Sequence, residues 1–191
     1  MSFWKKLWEA VFLWKVPNAK DIRDVDAILV FAAGEHKHKY PGPANDNLAQ
    51  TVIYLQQFFD GTRASHVPVL AQAEAWASTK LKPFETIQAT AFQRDLPKKD
   101  YLDTFKVAET MLPVCEERGW KVVAVVAPKY AMWRTWMAMI AAGFKAENIR
   151  ICAVPQDVFF NDCAQWGGRW RILAYLREFA GRVGWTIIGK I

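Results

Sequence analysis

Two stretches of this chain hold apolar residues without a break: "AILVFAA", Ala27 to Ala33, and "VVAVVA", Val122 to Ala127. Both are short for a helix, and neither shows the in-out alternation of a strand with one wet face. A strand reads this way when both of its faces are covered, as in a parallel sheet. Parallel neighbours cannot be joined by tight hairpins. Each pair needs a crossover, usually a helix, so helical segments should stand between the strands.

They do. Leu48, Val52, Leu55 and Phe59 recur at helical spacing, and Gly61 follows them. "HVPVLAQ", His66 to Gln72, reads as a second strand feeding a helix from about Glu74 to Lys80. "ETIQAT" is a short third strand that alternates. Asp100 or Asp103 can cap the next helix, whose inner face is Phe105, Ala108, Leu112 and Cys115, with Gly119 at its end. Pro113 inside that pattern predicts a kink or a break. Met132, Trp136, Met139 and Ile140 mark a further helix closed by Gly143, and "NIRICAV" is the fifth strand. A last helix starts near Trp170, with Ile172, Leu176, Phe179 and Val183 expected inward; "WTIIGKI" extends it or forms an edge strand.

This order predicts a three-layer, Rossmann-like α/β domain over residues 26–191, with a mostly parallel sheet of about five strands and helices on both faces. Ligands of such folds bind beyond the carboxyl ends of the strands, here the loops after Ala33, Gln72, Thr90, Ala127 and Pro155.

Residues 1–16 stand apart. Phe3, Trp4, Leu7, Trp8, Val11 and Phe12 repeat at helical spacing, with Lys5, Lys6, Glu9 and Lys15 elsewhere, and Pro17 ends the pattern. Glu9 interrupts the apolar part and no small-residue cleavage site follows, so the expectation is an amphipathic helix and not a leader. It either packs on the domain or lies in a membrane interface as a peripheral contact. No run reaches the roughly 18 uncharged apolar residues of a membrane span. Three cysteines at wide spacing, with no Cys-x-x-Cys, argue against a disulfide framework and for a reducing compartment, the cytoplasm or the inner membrane face. The net charge of +6 suits an anionic partner or a plain solvated surface. Basic residues are scattered among acids with no stripe, so no nucleic-acid partner is expected. Composition leaves the oligomeric state open.

The loop after Ala33 has one glycine, Gly34, followed by Glu35, and Asp46 sits at the expected N-cap beyond it. Bare backbone amides and a positive helix end make a phosphate cradle, and two carboxylates oppose it. His36 and His38 alternate in that loop and could share a metal, with Glu35, Glu74 or Asp103 as third ligand; the stretch is charged and polar, and a solvated loop explains it fully. Cys115 and Cys152 lie on apolar faces, and Cys163 lacks a nearby histidine in sequence to activate it. No Gly-x-Ser-x-Gly, Walker or Gly-x-Gly-x-x-Gly pattern occurs. In "APKYAMWRTW", Lys129 precedes a helix start, and Tyr130 stands four residues before Arg134, on the same face if one helix holds both. A planar guanidinium beside a helix N-terminus makes an anion site from two additive sources. The alternative is that Arg134 pairs with Asp103 or Glu74 and anchors the loops.

Read in order, several segments resemble the YdcF-like domain family, the bacterial group that includes SanA and ElyC. "DAILVFAAG" is similar to its first strand and glycine turn, and "VPVLAQAEAW" to its strand and Ser-Glu-Ala helix start, with Glu74 and Ala75 matching. "DYLDTFKVAETM" resembles its Asn-Thr-x-Glu-Asn segment through Thr104. "VVAVVAPKYAMWRTW" resembles its Val-Thr-Ser-x-x-His-Met-x-Arg-Ala segment through Met132 and Arg134, and Arg177-Glu178 matches its closing helix. The chain departs from the family at Glu35, Asp103, Lys106, Ala127, Pro128 and Ala131, and "ANDNLAQ" replaces the family's arginine-bearing helix start. The resemblance implies a small anionic ligand of adenosyl or phosphate type, such as S-adenosylmethionine or a nucleotide, and a link to cell-envelope processes. It implies a pocket that includes Gly34, Glu74, Thr104 and Arg134, with Lys129 and Tyr130 beside it. A metal-assisted hydrolase or transferase using His36 and His38, or an interaction protein with a degenerate site, are the rival expectations.

Overall fold

The computed structural model describes residues 22–33, 41–61, 66–97, 102–156, 158–159, 163 and 170–187. The expected N-terminal helix over residues 1–16, Gly34, Glu35, His36 and His38 lie outside them.

The two apolar runs are the middle of the sheet. Strands β1 (Ala27–Val30) and β4 (Val123–Ala127) are buried along their whole length and pair in parallel, with Leu29 opposite Val125. β2 (Val69–Ala71) flanks β1 on the other side, β3 (Thr86–Gln88) lies beyond β2, and β5 (Ile149–Ala153) beyond β4. The order is β3-β2-β1-β4-β5, all parallel. Alternate side chains divide the core in two, as a pleated strand must. Ile28, Val30, Val69, Ala71, Ala124 and Val126 face one layer, and Ala27, Leu29, Leu70, Val123, Val125 and Ala127 the other.

Helix α1 (Pro43–Asp60) covers the first face with Leu48, Val52 and Phe59, aided by the short helix α2 (Ala73–Trp76). Helices α3 (Thr104–Glu117) and α4 (Met132–Ala142) cover the second with Val107, Met111, Cys115 and Met139. This is the expected three-layer α/β architecture. Gly143 ends α4 in the left-handed region at φ 118°, and a Cβ there would come within 3.1 Å of the Leu112 side chain. Glycine suits both demands.

Local expectations fail in four places. The helix after β2 does not run from Glu74 to Lys80: α2 stops at Trp76 and a separate 3-10 turn spans Thr79–Leu81. Buried Ser78 stands between them and donates its hydroxyl to Asp46 Oδ1 at 2.5 Å. Asp46 is not the cap of α1, because Pro43 opens the helix with its fixed φ and leaves Asp46 in the first turn. α3 passes Pro113 without a break; the proline is solvent-exposed, so the carbonyl it leaves without an amide donor can turn to water.

The fourth failure is the largest. The last helix, α5 (Arg171–Ile187), takes up part of the C-terminal segment as one of the two expected alternatives. Its expected inner face points out: Ile172 is 74% exposed, Leu176 56% and Phe179 45%, and Val183 is only half-buried. Ala174, Glu178 and Arg182 are the buried ones. None of the described helices is long and apolar enough to cross a membrane.

Candidate functional site

The strand order reverses direction between β1 and β4, and a cavity opens beyond their carboxyl ends. Crevices at such switch points are where open parallel sheets take ligands. The cavity holds about 50 Å³ and widens to about 590 Å³ of empty space where it meets solvent. One water needs roughly 10–15 Å³ by the narrower measure, so the inner part suits a small polar head group and not a whole nucleotide.

Its walls come from every layer. Phe31 and Ala32 leave β1, Gln72 and Glu74 follow β2, Gln93 follows β3, and Pro128 and Ala131 follow β4. Thr104 and Val107 come from α3, Arg134 and Thr135 from α4, and Arg177 from α5. Amide side chains set the rim. Gln72 Oε1 accepts from the Ala32 amide at 3.0 Å, and buried Asn45 accepts from the Ala33 amide at 2.8 Å. These two bonds hold the exit of β1 where the chain leaves the sheet. The Gln93 backbone N–H donates to Glu74 Oε1 at 2.7 Å and its side-chain Oε1 accepts from the Leu102 amide at 2.6 Å, tying α2 to the start of α3. Glu74 is 2% exposed, a carboxylate with little contact with water yet lining the cavity.

The opposite wall is cationic. Arg134 Nε lies 3.2 Å from Glu178 Oε2, and Arg182 Nε lies 3.5 Å from Glu178 Oε1. Glu178 is buried between the two, and the Arg182 guanidinium stacks 4.3 Å above the Trp133 ring. Burial pushes the Arg182 guanidinium below its ordinary range, Glu178 pulls it back, and Arg134 opposes that recovery. An arginine with these partners stays charged. Charges of both signs therefore line the cavity: Glu74 and Asp103 against Arg134 and Arg177.

The residues singled out from sequence are partly brought together. Glu74, Thr104 and Arg134 meet in this cavity. Thr104 is the first residue of α3, and its cap is Asp103, whose Oδ1 accepts from the Lys106 amide at 2.8 Å. Arg134 pairs with Glu178, and not with Asp103 or Glu74 as the structural alternative had it. Lys129 and Tyr130 do not join them. Lys129-Tyr130-Ala131 is a 3-10 turn and α4 begins at Met132, so no single helix face carries Tyr130 and Arg134. Tyr130 stacks on Phe159 with ring centroids 5.7 Å apart. Lys129 lines a second cavity of about 280 Å³ with Pro155, Gln156, Phe159, Arg171 and Tyr175.

Gln72, Gln93 and Glu178 were not read as site residues. The glutamines carry no charge pattern, and Glu178 with Arg182 looks like a solvated i, i+4 pair. The one signal for its burial is Ala174, Glu178 and Arg182 in four-residue steps on a single face. Among the described residues no group of three histidine, cysteine or acidic side chains could hold a metal ion. Burial raises the Cys115 thiol to about 12, with Glu116 adding to it, and burial raises Cys152 to about 11, so neither is a ready nucleophile. No family model, curated protein or solved structure matches this chain.

Proposed function

We propose that the cavity at the β1–β4 switch point binds a small molecule through its anionic group, of the phosphate or adenosyl type that the YdcF-like resemblance suggests. The observation that carries this reading is Arg134, lining the cavity while buried Glu178 fixes its guanidinium from behind. A buried ion pair adds little net stability compared with apolar packing of the same volume. An orienting task gives the cluster of Arg134, Glu178 and Arg182 a reason that stability does not. Arg177 and the positive end of α3 at Thr104 add to the attraction for an anion. Glu74 on the opposite wall suits hydroxyl or amine donors on the same ligand, as an acidic residue beyond a second strand does for a ribose. With about 50 Å³ inside, the anionic group enters and the remainder occupies the mouth.

The test is calorimetric titration of the full chain with inorganic phosphate, adenosine monophosphate and S-adenosylmethionine. One of the three should bind, and Arg134→Lys should weaken it about tenfold or more, because lysine keeps the charge and loses the donor fork. No binding by any of them, or binding indifferent to Arg134→Lys in a folded variant, removes the reading. A second reading is a degenerate site in an interaction protein. It is favoured by the same ion pair, since Glu178 already neutralises Arg134, and three flat titrations would support it.

A further inference from the structure

Glu178 is one carboxylate shared by two guanidiniums from different helices. Its Oε2 lies 3.2 Å from Arg134 Nε on α4, and its Oε1 lies 3.5 Å from Arg182 Nε on its own helix, α5. The two arginines differ in what else they reach. The Arg134 side chain is 16% exposed and lines the cavity. The Arg182 side chain is 1% exposed and is not among the described residues of the cavity wall. Its guanidinium lies 4.3 Å over the Trp133 ring, and that stack fixes it against α4. The small-ligand reading leaves Arg182 without a task of its own.

An anion in the cavity and Glu178 compete for the same guanidinium. A bidentate grip on the anion needs the planar donor fork of Arg134, and a carboxylate beside that fork draws it away. The hold is loose: Arg134 Nε is buried and makes no directed hydrogen bond among the described residues, so Glu178 keeps it by charge and not by a locked geometry. Parting the two would strand a buried carboxylate, which is costly unless another cation takes it. Arg182 stands one turn along the same helix, close enough for Glu178 to reach by a change of rotamer. A guanidinium has five N–H donors, so Arg182 can take a second carboxylate oxygen whatever else it meets. We infer that Arg182 is a positioning residue for the cavity: when an anion engages Arg134, the Glu178 carboxylate passes to Arg182, and the fork of Arg134 turns to the ligand. This role rests on the anion site proposed above, whereas the sharing of Glu178 between two arginines does not.

The experiment has two arms on the full chain. The first uses no ligand and compares thermal unfolding of Arg134→Gln, Arg182→Gln and the variant carrying both. Each single change leaves Glu178 one of its two arginines, and the double change takes both. The melting temperature lost by the double variant should therefore exceed the sum of the single losses. Additive losses would mean that Glu178 is not shared, and the inference falls. The second arm is calorimetric titration with inorganic phosphate, adenosine monophosphate and S-adenosylmethionine. Arg182→Gln should weaken the compound that binds the wild type by roughly tenfold, although Arg182 touches no ligand. Arg182→Lys keeps a cation for Glu178 and should lose less. Glu178→Gln combined with Arg182→Gln leaves no carboxylate to rehouse, so affinity should recover from the level of Arg182→Gln alone. A purely structural role for Arg182 predicts no such recovery. Full affinity in Arg182→Gln, equal loss in Arg182→Lys, or no recovery in a folded double variant overturns the inference while the anion site stands. A wild type that binds none of the three compounds removes the anion site itself, and this role with it.

Discussion

α4 and α5 pack beside each other with their amphipathic patterns turned opposite ways. α4 buries Met132, Ala138 and Met139 against the sheet and leaves its polar side to its neighbours. α5 buries Glu178 and Arg182 and presents Ile172, Leu176 and Phe179 to the outside. The two differ in what each meets. α4 meets β4 and β5, a purely apolar surface. α5 meets the first turns of α4, where Trp133 and Arg134 offer an aromatic face and a cation. Periodicity in a sequence therefore says that a helix forms and where its stripe lies. Which stripe goes inward depends on a neighbour that only the fold supplies.

The sharpest way to break this comparison is to remove the buried acid. Glu178→Ala removes the carboxylate that Arg134 and Arg182 both face. Stranding buried charge in this way costs about 3–5 kcal/mol. Thermal unfolding should show it as a drop of roughly 6–20 °C for a chain of this size. Glu178→Gln keeps the shape and one acceptor and should cost less. A loss under about 1 kcal/mol for Glu178→Ala would mean that the cluster is hydrated and that the inward turn of α5 is not held by it.

A second test compares the dry core with the ion cluster through pH. The Cys115 thiol, raised to about 12 by burial and then by Glu116, binds its proton more tightly folded than unfolded. Its contribution is fully present below the unfolded thiol value near 8.5–9 and is lost as pH rises toward 12. Stability should fall by up to about 1.4 kcal/mol per pH unit across that window for this one group. Cys115→Ala should flatten the slope by that amount above pH 9, measured by urea unfolding at successive pH values. An unchanged slope would show that the α3 face of the core is open to water.

How much of this was legible in the sequence varies with what each residue meets. β1 and β4 were readable because burial on both faces leaves a continuous apolar run that no other element explains as well. The position of the candidate cavity followed from topology, and Glu74, Thr104 and Arg134 line it because each stands near the start of a helix beyond a strand. Lys129 and Tyr130 were misplaced by a single 3-10 turn, which shifts side chains by about 120° per residue instead of about 100°. Glu178 was invisible for a different reason. A charged residue four positions from an opposite charge is the commonest pattern on a wet helix, and only Ala174, four positions earlier on the same face, gives its burial away.

A smaller effect is expected at Pro113, on the apolar-inward helix α3. The proline sits in the third turn, exposed, where it denies its helix one backbone bond. Proline inside a helix is about 3 kcal/mol worse than alanine, part of which is returned because proline also restricts the unfolded chain. Pro113→Ala should raise stability by about 1–2 kcal/mol with no change in the cavities. A destabilised variant would show that the expected kink exists in solution and is needed for packing.

The smallest effect concerns the outward side of α5, and it bears most directly on the comparison with α4. Ile172 is 74% exposed, so Ile172→Ser removes little buried surface. The expected change is within about 0.5 kcal/mol, as for other surface positions. Met139→Ala on α4 is the matched control: Met139 is fully buried, and its truncation should cost about 2–5 kcal/mol through lost burial and the cavity left behind. Chemical denaturation of both variants under one set of conditions reads the difference directly. If Ile172→Ser costs as much as Met139→Ala, the stripe is inside the protein after all. α5 would then follow the same inward rule as α4.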